Sequence, residues 1–148
     1  MAAIAELRGK RLYLDANVFI YALESLAPWK EPAQALLRWI DAGQCSAVTS
    51  ELTLAECLTK PLQLGQTENA KLYENAIQSR PDFTVVPVGR EILIEAARLR
   101  APEGLKLPDA IHAATAIQNA CDVFVTNDKS LVRLSGVQTM LLSQIGAE

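Results

Sequence analysis

Residues 108–126 read PDAIHAATAIQNACDVFVT. The opening proline suits the first turn of a helix, where its missing N–H has no partner to lose and its fixed φ is already helical. A helix is therefore expected over 109–119. The closing DVFVT, residues 122–126, is an apolar, β-branched run and the clearest strand in the chain. A helix that hands directly to a buried strand is one unit of an alternating α/β fold.

The alternation recurs on either side. RLYL at 11–14 is a strand ending at Asp15, followed by a helix over 17–26 that Pro28 interrupts. A second helix is expected over 32–42, with Leu36, Trp39 and Ile40 on one face and Gly43 as its stop. Residues 47–49 are a strand, and Ser50 or Thr53 caps the helix that carries Glu56. A helix over 67–79 with Thr67 as its cap, a strand over 83–88 and a helix over 90–100 lead back to Pro108. Downstream come a short helix near 129–133 and a last short strand over 137–141. No repeat or Pro/Gly-rich linker divides the 148 residues, which predicts one domain spanning 1–148. Such a domain buries roughly 68–70% of its unfolded surface and needs no staple. Short strands alternating with helices predict a three-layer α/β/α sandwich with a mainly parallel central sheet.

Composition narrows the function classes. Hydrophobic residues make up 50% and charged residues 21%, which excludes global disorder. No uncharged apolar run approaches the ~18–20 residues of a membrane helix. Glu6, Arg8, Lys10 and Arg11 crowd the N-terminus, so no signal peptide is expected and the reading is cytoplasmic, with no membrane partner. Cys45, Cys57 and Cys121 are odd in number and widely spaced, against a disulfide framework or a zinc knuckle. Cys57 reads as a small buried hydrophobe. The net charge of −3 argues mildly against nonspecific nucleic-acid binding. Four carboxylates taken up by metal would leave the rest of the protein at +1, and the objection would fall.

In parallel α/β sheets, sites form outside the carboxyl ends of the strands. Asp15 follows LYL directly, and Asp128 follows DVFVT with only Asn127 between. Asp109 lies in the first turn of its helix, and Glu56 lies on the helix after the strand ending near Thr49. Singly, each has an ordinary account: a turn residue bonding its own backbone, a charge complementing a helix dipole, a solvated glutamate. As a set they repel one another and call for a cation. Oxygen ligands select a hard ion, Mg²⁺ or Mn²⁺, rather than zinc.

The segments YLDANVFIYA (13–22), ELTLAECL (51–58), LPDAIHAATA (107–116) and VTNDKSL (125–131) resemble the four acidic motifs of PIN-domain ribonucleases, in the family's order. The likeness is strongest to the toxin of bacterial VapBC-type toxin–antitoxin pairs. That resemblance implies a PIN-like nuclease domain in which Asp15, Glu56, Asp109 and Asp128 are the catalytic, metal-binding acids, holding Mg²⁺ or Mn²⁺. It implies that Asn17, Thr126 and Asn127 organise the site through side-chain hydrogen bonds. It implies cleavage of single-stranded or loop RNA by metal-activated water, leaving a 5′-phosphate. Some family members carry a further acid just after the fourth motif, and residues 129–133 (KSLVR) contain none. The expected partners are an RNA substrate, a small antitoxin covering the active-site groove, and a second copy in a homodimer. Phe19, Tyr21, Trp29, Leu37 and Trp39 offer apolar material for such contacts, although filling the core is the ordinary account of most of them.

His112, the single histidine, stands one turn beyond Asp109. It has no GxSxG or comparable nucleophile to serve, so packing on its helix and bonding a neighbour is the expected role. Lys10, Arg11, Lys60, Lys106 and Lys129 lie near the acidic motifs in sequence and are candidates to flank an RNA path, with solvated surface lysine as the plain account of each. Aromatics at 5% do not make an extensive base-stacking platform. A haloacid-dehalogenase phosphatase would want a second Asp where Asn17 stands, and a P-loop enzyme needs a GxxxxGK[ST] that is absent. The alternative that survives is a non-catalytic PIN-fold module that binds RNA or protein.

Overall fold

The computed structural model describes residues 2–134 and 136–146. Its centre is a five-stranded sheet in which every pairing is parallel, in the order β4-β3-β2-β5-β6. These strands are β2 (Arg11–Leu14), β3 (Ser46–Ser50), β4 (Phe83–Val86), β5 (Val123–Thr126) and β6 (Gln138–Leu141). Two short segments, β1 (Ala2–Ala3) and β7 (Ile145–Gly146), pair parallel in a small second sheet. The helices are α1 (Ala16–Leu23), α2 (Lys30–Asp41), α3 (Glu51–Gln63), α4 (Thr67–Ala76), α5 (Arg90–Glu103) and α6 (Leu107–Gln118).

Side-chain alternation along the strands sorts these helices into two layers. Leu12 and Leu14 of β2, with Ala47, Phe83, Val123 and Val125, pack in one cluster with residues of α1, α2, α3 and α4. Tyr13, Val48 and Phe124 face the other way, with Ala116 of α6. The small residues Ala110 and Ala114 of α6 let Ala96 and Ile92 of α5 pack closely on that side. The result is the expected α/β/α sandwich. The chain runs outward from β2 to β4 over one face and returns to β5 over the other, as a constant crossover hand requires.

Element ends depart from the expected ones for local reasons. Helix α1 stops at Leu23, short of residue 26, because Ser25 takes a left-handed conformation (φ 52°). Helix α2 begins two residues earlier than expected, at Lys30. Ser50 is the cap of α3, its hydroxyl accepting from the Leu52 N–H at 3.0 Å, while Thr53 is buried and bonds Thr49. Thr67 is not a cap: Gln66 occupies that position without a side-chain bond, and the helix ends at Ala76. Helix α5 runs on to Glu103, where Gly104 (φ 66°) supplies the left-handed residue that closes it. The turn of 3-10 helix at Ile4–Leu7, with Ile4 and Leu7 in the core, had no periodic signal to announce it.

Phe19 is buried, and Tyr21, Trp29, Leu37 and Trp39 are partly buried against the same core. Among the described residues no helix is long and apolar enough to cross a membrane. Because α3 delivers Glu56, its cap bears on the site. Ser50→Ala should cost about 1 kcal/mol of stability, read as a lower urea midpoint with unchanged slope. A change below about 0.3 kcal/mol would show that the cap carries no weight.

Candidate active site

The strand order reverses between β2 and β5, and the crevice outside such a reversal is where α/β sheets bind ligands. Leu14 pairs with Val125 across that junction, so the residues just beyond, Asp15 and Thr126, emerge side by side. Asp15 caps α1: its Oδ1 accepts from the Asn17 N–H at 3.0 Å. The Thr126 hydroxyl donates to the other oxygen, Oδ2, and the same hydroxyl oxygen accepts the Asp128 N–H at 3.0 Å. Thr126 thereby ties the ends of β2 and β5 together.

Asp128 opens a 3-10 turn over Lys129–Arg133, its Oδ1 accepting from the N–H and hydroxyl of Ser130 at 2.9 and 2.7 Å. Helix α6 brings Asp109 in its first turn and His112 one turn on. Glu56 reaches in from α3, its Oε1 2.7 Å from His112 Nε2. The other ring nitrogen, Nδ1, lies 2.6 Å from the Tyr13 hydroxyl. All four acids, with Ala16, Asn17, Ile20, His112 and Leu131, line one cavity of about 180 Å³.

Electrostatics mark the same place. Burial pushes the Asp15 carboxyl up from its usual 3.8 to about 6, against the lowering effect of its bonds to Thr126 and Asn17. Asp109 is also raised, first by burial and then by the charge of Asp128, with His112 and Lys106 pulling the other way. Raised carboxyls facing one cavity are sites that a cation would relieve. Among the described residues, no three acidic, histidine or cysteine side chains are already gathered around a point that could hold an ion.

The supporting residues sort differently from one another. Thr126 acts through its hydroxyl and Asn17 through its main-chain N–H, while Asn127 is half-buried beside them. Lys106 is close enough to act on Asp109, and Lys129 is exposed next to Asp128. Arg11 is at the opposite, amino end of β2, where its guanidinium donates to the Asn119 carbonyl at 2.8 Å, and Lys10 precedes it there. Those two do not flank the cavity. Cys57 is buried as expected, with burial pushing its thiol up to about 12. Tyr13, Thr49, Thr53 and Ser130 were not singled out from the sequence. For Tyr13 a signal existed: strand alternation puts residues 13 and 15 on one face.

Comparison with known proteins identifies the family. The PIN domain family model matches residues 12–137. No curated protein matches the chain significantly. Among solved structures, VapBC2 from Rickettsia felis bound to a promoter DNA fragment is similar at 18% identity and TM-score 0.70, over 88% of this chain and 98% of that one. Mycobacterium tuberculosis VapC20, described as a sarcin–ricin loop cleaving toxin, is similar at 15% identity and TM-score 0.67, over 86% and 98%. VapBC-5 of the same organism, a member of the VapBC family of toxin–antitoxin systems, is similar at 25% identity and TM-score 0.55, over 89% and 97%. With its four acids in order and a family match over most of its length, this chain belongs to the PIN domain family.

Proposed function

We propose that this protein is a metal-dependent endoribonuclease, the toxin of a toxin–antitoxin pair, in which Asp15, Glu56, Asp109 and Asp128 hold Mg²⁺ or Mn²⁺. The observation that carries the reading is the meeting of four carboxylates, from four distant segments, around one cavity at the sheet's switch point. An all-carboxylate donor set is hard and anionic, which suits Mg²⁺ or Mn²⁺ and not zinc. When bound, the ion would lower the pKa of a coordinated water and offset charge on the scissile phosphate.

The chain's own residues supply orientation and polarity. Thr126 and the Asn17 N–H hold both oxygens of Asp15, and Ser130 holds one oxygen of Asp128. Both ring nitrogens of His112 are committed, to Tyr13 and to Glu56, so the histidine does not serve a protein nucleophile. Water is then the attacking group. The neighbours' toxin–antitoxin character supports a small antitoxin as partner; a homodimer and a cytoplasmic place of action belong to the same proposal. VapC20's description supports structured RNA as the substrate class.

The test is purified protein with structured RNA, with Mg²⁺ or Mn²⁺ and with EDTA. Cleavage leaving 5′-phosphate ends is expected with metal, and is expected to be lost in EDTA and in Asp109→Asn. Activity that survives both would overturn the reading. A protein inert on every structured RNA tried, yet binding RNA or a protein partner, would instead be the non-catalytic module.

A further inference from the structure

We propose that His112 is a positioning residue, held by Tyr13 in the tautomer that donates to Glu56, and that it fixes the Glu56 carboxylate for cation binding. The proposal rests on the reading of Glu56 as a ligand given above. The starting point is a chain of three side chains on three elements: the Tyr13 hydroxyl 2.6 Å from Nδ1, and Nε2 2.7 Å from Glu56 Oε1. Tyr13 is 0% exposed and His112 4%, so neither can turn to water for a partner.

The proton positions follow from what each group can do. As a carboxylate Glu56 can only accept, so the Nε2 that faces it at 2.7 Å carries a proton. Nδ1 of that tautomer accepts, and the Tyr13 hydroxyl 2.6 Å away supplies the proton that holds it so. A neutral imidazole that accepts at Nδ1 carries its proton on Nε2, and that proton points at Glu56. Direction runs one way, from tyrosine through histidine to carboxylate.

The consequence falls on Glu56. Its side chain has three rotatable torsions and is about one-third exposed (35%), so unaided it would have to be ordered by whatever it binds. The histidine bond holds Oε1, and Oε2 makes no hydrogen bond among the described residues. Partners that orient a ligand in this way are worth 10–100-fold in metal affinity.

The experiment is Mn²⁺ binding to the full chain, followed by the electron-spin signal of free Mn²⁺, with melting temperature in EDTA recorded beside it. His112→Leu fills the space without a donor and should weaken binding 10–100-fold. His112→Gln keeps a donor and should recover most of that loss. In a Glu56→Gln background, His112→Leu should cost nothing further. If His112→Leu does not fold, Tyr13→Phe keeps the ring packing and removes the proton that sets the tautomer. It should weaken binding several-fold, again with no further loss in Glu56→Gln. A lower melting temperature with unchanged Mn²⁺ affinity, or a loss that adds to that of Glu56→Gln, overturns the positioning role alone. Unchanged affinity in Glu56→Gln overturns the ligand reading and this role with it.

Discussion

Asp15→Asn is expected to slow RNA cleavage by at least about 10²-fold at neutral pH while the protein stays folded. Asparagine has nearly the shape of aspartate and keeps the oxygen that accepts the Asn17 N–H, so the start of α1 remains capped. Toward Thr126 the amide presents donors to a hydroxyl whose oxygen can accept. What is lost is one full charge at a position 6% exposed, where water does little to screen it. A bound cation contributes several kcal/mol to the transition state, and each 1.36 kcal/mol is a factor of ten. On the proposal that Asp15 is one of its ligands, the substitution is therefore worth two decades or more. Asp122→Asn is the control: its carboxylate accepts the Arg11 N–H at 2.8 Å, at the amino end of the sheet far from the cavity. Full activity is expected there. Initial rates at saturating Mg²⁺ decide it, and an Asp15→Asn protein keeping more than a tenth of wild-type activity would remove Asp15 from the ligand set.

How much of this was legible beforehand differs between levels. The alternating pattern was enough for the sandwich, because a strand such as VFVT at 123–126, buried on both faces, has few other ways to fold. Asp15 and Asp128 could be placed at the sheet edge because position carries the information: in a parallel sheet, an acid just after a strand is already there. Asp109 and Glu56 lie on helices, where the motif order and not strand position singled them out. Helix ends were read less well. Nothing in the chain around Ser25 forbids another helical turn, and the left-handed residue there appears only once the chain must turn toward α2. The bonding of His112 was hidden for a different reason. Its two partners lie 99 and 56 residues away, and no local pattern reports a contact between β2, α3 and α6. Arg11 misled because nearness in sequence to Asp15 is not nearness in space: four residues of extended strand separate the two ends of the sheet.

Without metal, the protein should gain stability as pH falls from 7.5 toward 4, and Asp15→Asn should lack most of that gain. The carboxyl of Asp15 is raised in the folded state, from 3.8 to about 6, chiefly by burial. Its charged form is thus a penalty that is fully present above the folded value and gone below the unfolded one. Across that interval the folded chain holds a proton the unfolded chain has released, so acid favours folding. A shift of about two units is worth about 3 kcal/mol, of which roughly half has arisen by pH 5. Asp109 is raised as well and acts in the same direction. Urea unfolding of wild type and Asp15→Asn in EDTA, at pH 7.5, 6, 5 and 4, isolates the contribution of one group, because other titrations cancel in the difference. The mutant should be at least as stable as wild type at pH 7.5 and should fall behind it progressively as pH drops through 6. Cation binding competes with the same proton, so at pH 5.5 saturation with Mn²⁺ should release most of one proton and at pH 8 almost none. A wild-type-minus-mutant difference that stays flat from pH 7.5 to 4 would mean that the Asp15 carboxyl is not raised at all.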